Sequence, residues 1–437
     1  MPREKDDVSS RRDFLRQAMT LSASLPLLPA VLRAADEPAK KSRSPNEKLN
    51  LGIIGVAGRG GEDLNSVTTE NIVALCDIDK SPLEPVSRVF PAAKAYEDYR
   101  RVLDHKELDA VVVATPDHMH AIPVAAALRL GLDVYCEKPL AHSVHEVRTV
   151  RDLATKHGSV TQMGTQIHAG DNYRRAVEIV KSGAIGPVKR VHVWHGGRPL
   201  VGKRVKEGTP PASVNYDLWL GPAPQRPFDA SHFHFNWRYW WDFGGGVLAD
   251  FGCHFMDLPY WALDLDAPTS IEATGKKDYE GDNDVPGVMR VEYQFPARAE
   301  QPPVHLTWSH GGWMPEGAEV YKKSSGVLFE GEKGRLLADY GSRQVFMGDT
   351  KAEVVTPKPT IPNSIGHHEE WVLAVKTRGP TTCNFGYSGA LAEAVLLGNV
   401  SYRAGKMLEW DAKALKATNA PEAAQYIQRE YRKGWTL

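Results

Sequence analysis

Apolar residues along the chain change period about a third of the way in. From Leu49 to Gly55 the sequence reads Leu-Asn-Leu-Gly-Ile-Ile-Gly, a buried strand, and a helical pattern starts near Glu62 after a cluster of glycines. Asn71 to Cys76 predicts a second strand, which ends at Asp77. Asp109 to Thr115 is continuously apolar, as suits a parallel strand covered on both faces. The segment GLDVYCEKPLA predicts another short strand, ending at Glu137-Lys138-Pro139. Strands alternating with helices at this spacing predict an α/β fold with a doubly wound parallel sheet.

After Gly164 that alternation fades. Val188 to Trp194, Ser270 to Thr274, Gly287 to Phe295, Val304 to His310, Gly326 to Gly331 and Gly334 to Asp339 all read as strands. They predict a C-terminal α+β domain with a large, mostly antiparallel open sheet. Residues 49–165 are assigned to the first domain. Residues 166–437 are assigned to the second, which carries substrate binding, catalysis and C-terminal helices.

Composition narrows the function classes. The 437 residues are 42% hydrophobic and 24% charged, with a formal net charge of −1. No long basic run follows the first fifty residues, which argues against nucleic acid. No later apolar run reaches the roughly 18 residues of a bilayer span. Cys76, Cys136, Cys253 and Cys383 are far apart without metal-type spacing, so they are expected as small buried hydrophobes and no metal site is expected.

Ser10-Arg11-Arg12-Asp13-Phe14-Leu15-Arg16 resembles a twin-arginine export signal, and Ala18 to Leu32 supplies a modest apolar segment broken by Pro26 and Pro29. Residues 1–35 are read as the signal peptide and 36–48 as a linker. Cleavage after Ala35 puts Arg33 where a small residue is expected, so an uncleaved, tethered form is the alternative. The resemblance implies an exported, periplasmic protein moved in folded form, with its cofactor tightly bound before export.

That cofactor is expected at Gly55-Val56-Ala57-Gly58-Arg59-Gly60, between a strand and a helix. Such a loop presents a helix N-terminus to a pyrophosphate. Ala57 stands where the second glycine of the pattern belongs. Asp77 follows Gly55 by 22 residues, the distance at which a carboxylate accepts from the adenine-side ribose and repels the phosphate of NADP. NAD is therefore expected over NADP; Asp79 competes for the same role. Ligands on doubly wound sheets lie beyond the carboxyl ends of the strands, where Thr115, Pro116, His120, Glu137 and Lys138 fall.

The glycine loop, Asp77, ATPDHMHA and CEKP, in this order, resemble the Gfo/Idh/MocA oxidoreductase family. That resemblance implies a Rossmann domain for residues 49–165 and places Lys138 near the nicotinamide and the substrate hydroxyl. An ammonium there stabilises developing alkoxide charge. In GGGVLADFGCHFMD, Asp250 and His254 match the family's catalytic Asp and His, and Asp257 matches a second, structural Asp. Spacings of four and three place all three on one helical face. Asp250 is expected to orient His254, and His254 to act as base.

Upstream, HFHFNWRYWWDF offers aromatic faces for sugar rings and polar groups for hydroxyls: His234, Trp237 and Arg238 are candidate substrate contacts. The same cluster suits a core or a contact between copies, and a homo-oligomer is expected. Gln166 is assigned to the cofactor and His168 to the substrate, at the domain junction. His305, His310 and Trp313 are weaker candidates. The C-terminal segment from Leu408 resembles the tail of exported, sugar-acting members and is read as domain packing. The leading expectation is an NAD-dependent oxidoreductase acting on a sugar or glycoside hydroxyl. The alternative is a redox-neutral glycosidase or lyase using transient oxidation, elimination and hydride return. A third reading is an inactive sugar-binding homologue.

Overall fold

In a computed structural model, residues 42, 44–197, 208–315, 322–352 and 358–437 are described. The export signal and most of the linker lie outside them. The N-terminal part contains β1 (Asn50–Ile54), α1 (Arg59–Ser66), β2 (Asn71–Cys76), α2 (Lys80–Val89), β3 (Lys94–Tyr96), α3 (Tyr99–Leu103), β4 (Ala110–Val113), α4 (Ala121–Arg129), β5 (Asp133–Cys136), α5 (Val144–His157) and β6 (Thr161–Met163). Their strands form one six-stranded parallel sheet in the order β3-β2-β1-β4-β5-β6. The order reverses between β1 and β4, which opens a crevice above their carboxyl ends. Leu51 and Ile53 of β1 and all four residues of β4 are fully buried, because helices cover both faces.

The rest comprises α6 (Asp171–Lys181), β7 (Val188–His195), α7 (Tyr216–Leu220), α8 (Gly246–Phe255), α9 (Asp257–Ala262), β8 (Ser270–Lys276), β9 (Val288–Phe295), β10 (Val304–His310), β11 (Gly326–Gly331), β12 (Arg335–Ala338), β13 (Arg343–Met347), β14 (Thr350–Ala352), α10 (His367–Thr377), α11 (Phe385–Ala404), β15 (Leu408–Asp411), β16 (Lys416–Ala417) and α12 (Ala424–Ile427). Ten strands form one open sheet, β14-β13-β12-β11-β7-β10-β9-β8-β15-β16. Its pairings are antiparallel except β7 with β10.

Two C-terminal helices hold the halves together. Trp371, Val372 and Val375 of α10 join Leu51, Ile53 and Tyr135 in the core of the parallel sheet. α11 is buried on nearly every side, as a helix apolar all round must be. Its buried Glu393 takes both arms of Arg148 from α5, at 2.8 and 2.7 Å. A bidentate pair at that depth fixes the register of α11 on the parallel-sheet half. Among the described residues no helix is long and apolar enough to cross a membrane. All four cysteines are free and buried.

Candidate active site

A cavity of about 1420 Å3 runs from the glycine loop to α8, larger than the roughly 300–1,000 Å3 usual for one small ligand. Its cofactor end is made largely of main chain. A side chain at Gly60 would put Cβ 2.2 Å from the Gly55 carbonyl oxygen, so only glycine lets the helix start this close to β1. Gly58 has φ +53 and open space where a Cβ would point. α1 has no side-chain cap, so its N-terminus is left for another acceptor.

Asp77 sits at this end with its carboxylate locked. Oδ2 accepts from the Val56 N–H and Oδ1 from the Asp79 N–H, both at 3.0 Å. Burial pushes its pKa up, and these two donors oppose the shift. Asp79 caps α2 through Ser81 instead of standing in for Asp77. Thr115 and Pro116 line the cavity, and Thr115 Oγ1 is buried with no partner among the described residues.

Below the loop lies a buried charge cluster. Glu137 accepts from Gln166 Nε2 at 2.6 Å and from Arg59 Nε at 3.4 Å. Arg59 also approaches Asp63, which His368 contacts at 3.0 Å. Burial raises both carboxyls, Asp63 and Glu137, to about 7 against the pull of Arg59. Gln166 and Glu137 thus hold each other as well as lining the cavity.

At the substrate end, Lys138 Nζ donates to Asp250 Oδ1 and to the Asp250 carbonyl, each at 2.7 Å. Arg238 Nε donates to the same Oδ1 at 3.3 Å. Burial opposes ionisation of Asp250, yet Lys138 and Arg238 hold it well below the usual carboxylate range. His254 lines the same cavity one helical turn on, with Nδ1 buried and unpartnered among the described residues. Burial, then the Lys138 charge, lowers its pKa to about 3, so the imidazole is neutral near pH 7. Asp250 therefore orients Lys138, which corrects the expectation that it would orient His254. Two cations outcompete a neutral ring for one carboxylate.

Other expectations are also corrected. Asp257 opens the separate helix α9 and leaves the face of Asp250 and His254. Its carboxylate accepts from Tyr387 Oη at 2.7 Å and bonds His168 Nδ1 at 2.9 Å. His168 is 1% exposed and stacked on Trp261 at 3.9 Å, so it is a core residue and not a substrate contact. His234 lies 3.2 Å from Asp79, at the cofactor end instead of the substrate end. His120 has its ring nitrogens 2.7 Å from the Pro139 and Thr115 carbonyls. Its neutral ring donates to one of these carbonyls and ties the two loops together, while the residue also lines the cavity. His305 pairs with Glu292, and His310 is buried beside Trp308. Trp237 and Arg238 do reach the cavity, with the guanidinium 4.2 Å above the indole.

Among the wall residues that sequence reasoning missed, four bear on the site. Asp117 is buried near Lys138, Arg238 and Asp250, and burial raises its pKa to about 7. Its place inside TPDHMH was the available signal. Phe235 and Tyr340 line the substrate end, and Trp435 the far side with Tyr99. The C-terminal segment is thus more than packing. Arg432 ties it to the Gly221 carbonyl at 3.0 Å, and Arg100 lies 4.9 Å over the Trp435 ring. No local pattern marks a residue so far along the chain as a wall of this cavity.

Residues 49–165 match the family described as "Oxidoreductase family, NAD-binding Rossmann fold" (GFO_IDH_MocA), and residues 177–437 match its C-terminal alpha/beta domain. The chain belongs to this oxidoreductase family. Within the family, it is similar to the inositol 2-dehydrogenase of Salmonella typhimurium, 30% identical over 153 residues, which is 34% of this chain and 46% of the relative. It is also similar to that of Rubrobacter xylanophilus, 31% identical over 158 residues, 35% of this chain and 45% of the relative. The matches span under half the length of these relatives. Two solved structures share the fold. One is the aldose-aldose oxidoreductase of Caulobacter crescentus complexed with glycerol (TM-score 0.60, 17% identity, 83% of this chain and 100% of that one). The other is the WlbA dehydrogenase of Chromobactrium violaceum in complex with NADH and UDP-GlcNAcA (TM-score 0.63, 16% identity, 86% and 99%).

The family's dinucleotide fits the residues present. The open space at Gly58, the uncapped start of α1, the unpartnered Thr115 hydroxyl and the carboxylate of Asp77 line one wall of one cavity. A pyrophosphate suits the first two, and ribose hydroxyls suit the Asp77 carboxylate.

Proposed function

We propose that this protein oxidises a hydroxyl of a sugar or glycoside using tightly bound NAD. One observation carries the reading: Lys138 is fastened to Asp250 beside a neutral His254, in the same cavity as the glycine loop. Bound NAD supplies the hydride acceptor. The chain's own residues do the rest. Lys138 Nζ donates to the substrate oxygen and stabilises negative charge as it develops there. Asp250 keeps that ammonium aimed, and Arg238 shares the same carboxylate oxygen. His254 accepts the hydroxyl proton, for which its neutral state leaves a nitrogen lone pair. In the reverse direction the same groups return the proton to a carbonyl oxygen.

Asp77 supports NAD over NADP, because a fixed carboxylate opposes a 2′-phosphate. Relatives named inositol 2-dehydrogenase support a polyhydroxylated substrate, and so do similar folds solved with glycerol and with UDP-GlcNAcA. The twin-arginine-like start supports export in folded form with the cofactor aboard. The test is direct. The purified protein should carry NAD, and some member of a hexose, hexoside and inositol panel should raise absorbance at the reduced-nicotinamide band. A cofactor-free protein with no affinity for NAD would overturn the reading. Arg11 and Arg12 changed together to Lys should trap a folded, NAD-loaded protein in the cytoplasm; unchanged export would reject the twin-arginine route.

A further inference from the structure

The substrate end of the cavity has a depth gradient. Its floor is polar and shielded: the side chains of Lys138 and Asp250 are 13% and 10% exposed. Its mouth is aromatic and open: Phe235 is 44% exposed and Tyr340 41%. Among the described residues, the other large hydrophobics left open to this degree are Val89, Leu130, Met347 and Met407, and none of them lines this cavity. Two exposed aromatics lining one cavity, unlike single apolar residues scattered over a surface, offer a ligand an apolar wall.

Both are held in place. Tyr340 lies in the turn between β12 and β13, where Asp339 accepts from the Gly341 and Ser342 N–H groups at 2.9 and 2.7 Å. Asn172 of α6 donates to the Asp339 carbonyl at 2.8 Å. The Tyr340 ring stacks on Phe255 at 4.8 Å and meets the edge of Tyr173 at 6.0 Å. Its centroid is 6.3 Å from that of His254. Phe235 is braced by Arg238, 4.5 Å from its centroid, and the same guanidinium reaches Asp250.

We propose that Tyr340 and Phe235 form a subsite for the part of a glycoside beyond the ring being oxidised. The inference rests on the oxidation reading above and specifies its substrate. A reacting ring seated on Lys138 and His254 occupies the floor, and its glycosidic substituent points to the mouth. Rings with an apolar face match these platforms. A second sugar and an aromatic aglycone share that chemistry. Tyr340 adds a hydroxyl that suits a polar neighbour.

The test uses holoprotein and three probes that share one reacting hexose: the methyl glycoside, the 4-nitrophenyl glycoside and a disaccharide. kcat/KM is measured for each, and the methyl glycoside is the internal reference for every variant. In the wild type, at least one ring-bearing probe should exceed the methyl glycoside by about fivefold or more. Whichever probe does so separates the aromatic from the sugar substituent. Tyr340→Ala should bring that ratio close to one, Phe235→Ala should lower it, and Tyr340→Phe should keep most of it. Thermal melts check folding, and Phe235→Ala carries the test if Tyr340→Ala is unstable. A wild-type ratio near one, or a ratio that survives both alanine variants, overturns the proposal. If none of the three is oxidised, oxidation of a glycoside hydroxyl fails separately from the subsite. Fluorescence titration of holoprotein with the same probes then decides the subsite, which predicts tighter binding of a ring-bearing probe, lost in Tyr340→Ala.

Discussion

The two ends of the cavity are built on opposite plans. At the cofactor end, main chain does the shaping: Gly55 to Gly58 lead from β1 straight into α1, and the Asp77 carboxylate is held by two backbone N–H groups. At the substrate end, side chains do it: Asp250 and His254 from α8, with Lys138, Arg238 and Tyr340 from three other segments. The difference teaches where each end is fragile. A backbone cradle fails when a side chain intrudes. A side-chain constellation fails when one functional group is removed while the fold around it stands.

The largest expected effect tests the substrate end. His254→Ala should lower turnover by about 10²–10⁴, the usual contribution of a positioned base, while NAD content stays near wild type. Single-turnover absorbance and released-NAD assays read the two quantities separately. Comparable loss of NAD would dissolve the contrast between the ends.

Next in size is an intrusion at the other end. Gly60→Ala pushes a methyl into the Gly55 carbonyl and should weaken NAD binding by about 10- to 100-fold, in line with ordinary overpacking costs. Turnover per bound NAD should change far less. Titration with NAD, followed by tryptophan fluorescence, measures the first. Asp77→Ala should be milder, narrowing the NAD-over-NADP preference by about tenfold, since one fixed charge is removed while the cradle remains. A wild type that binds NADP more tightly would reverse the reading of Asp77.

The pH dependence sharpens the substrate end. His254 is held near 3, so its base form is present throughout neutral pH and is lost only as pH falls through that value. No acid limb near 6.5 is expected from it. Asp117, raised to about 7 by burial, ionises in the neutral range beside Lys138. Its new negative charge adds to the attraction that holds Lys138 and Arg238 at the site. Oxidation should therefore speed up severalfold as pH rises through about 7, and Asp117→Asn should flatten that step. A step that persists in Asp117→Asn assigns it elsewhere, with Glu137 and Asp63 next.

The smallest effect concerns the C-terminal segment. Trp435→Ala removes one wall residue but leaves the cradle and Asp77 intact, so bound NAD should dissociate only a few-fold faster. Displacement by excess labelled NAD measures the rate. An unchanged rate would remove the C-terminal segment from cofactor retention.

Legibility followed the same division. β1, β2 and the glycine turn are local, set by periodicity, a strand length and φ values that one residue type accepts, and each lies within a residue or two of where the pattern puts it. Lys138, Asp250 and His254 were found through motif spacing. Their partnership was not, because helical spacing ranks Asp250 with His254, whereas a bond spanning 112 residues joins it to Lys138. His168 shows the converse error: a histidine at a domain junction looked available, but a buried Asp257 and the face of Trp261 claim it.

By itself, then, the sequence determined the two-sheet architecture, the dinucleotide loop and the candidate residues Lys138, Asp250 and His254, since these rest on short-range period, backbone freedom and residue chemistry. Only the tertiary structure decided which groups pair, which lie in the core and which open to the cavity. Burial and ion pairing depend on what the rest of the chain brings within a few ångströms. Folding brings Tyr340 to the mouth beside His254 and Trp435 to the far wall, and neither neighbour is encoded near the residue itself.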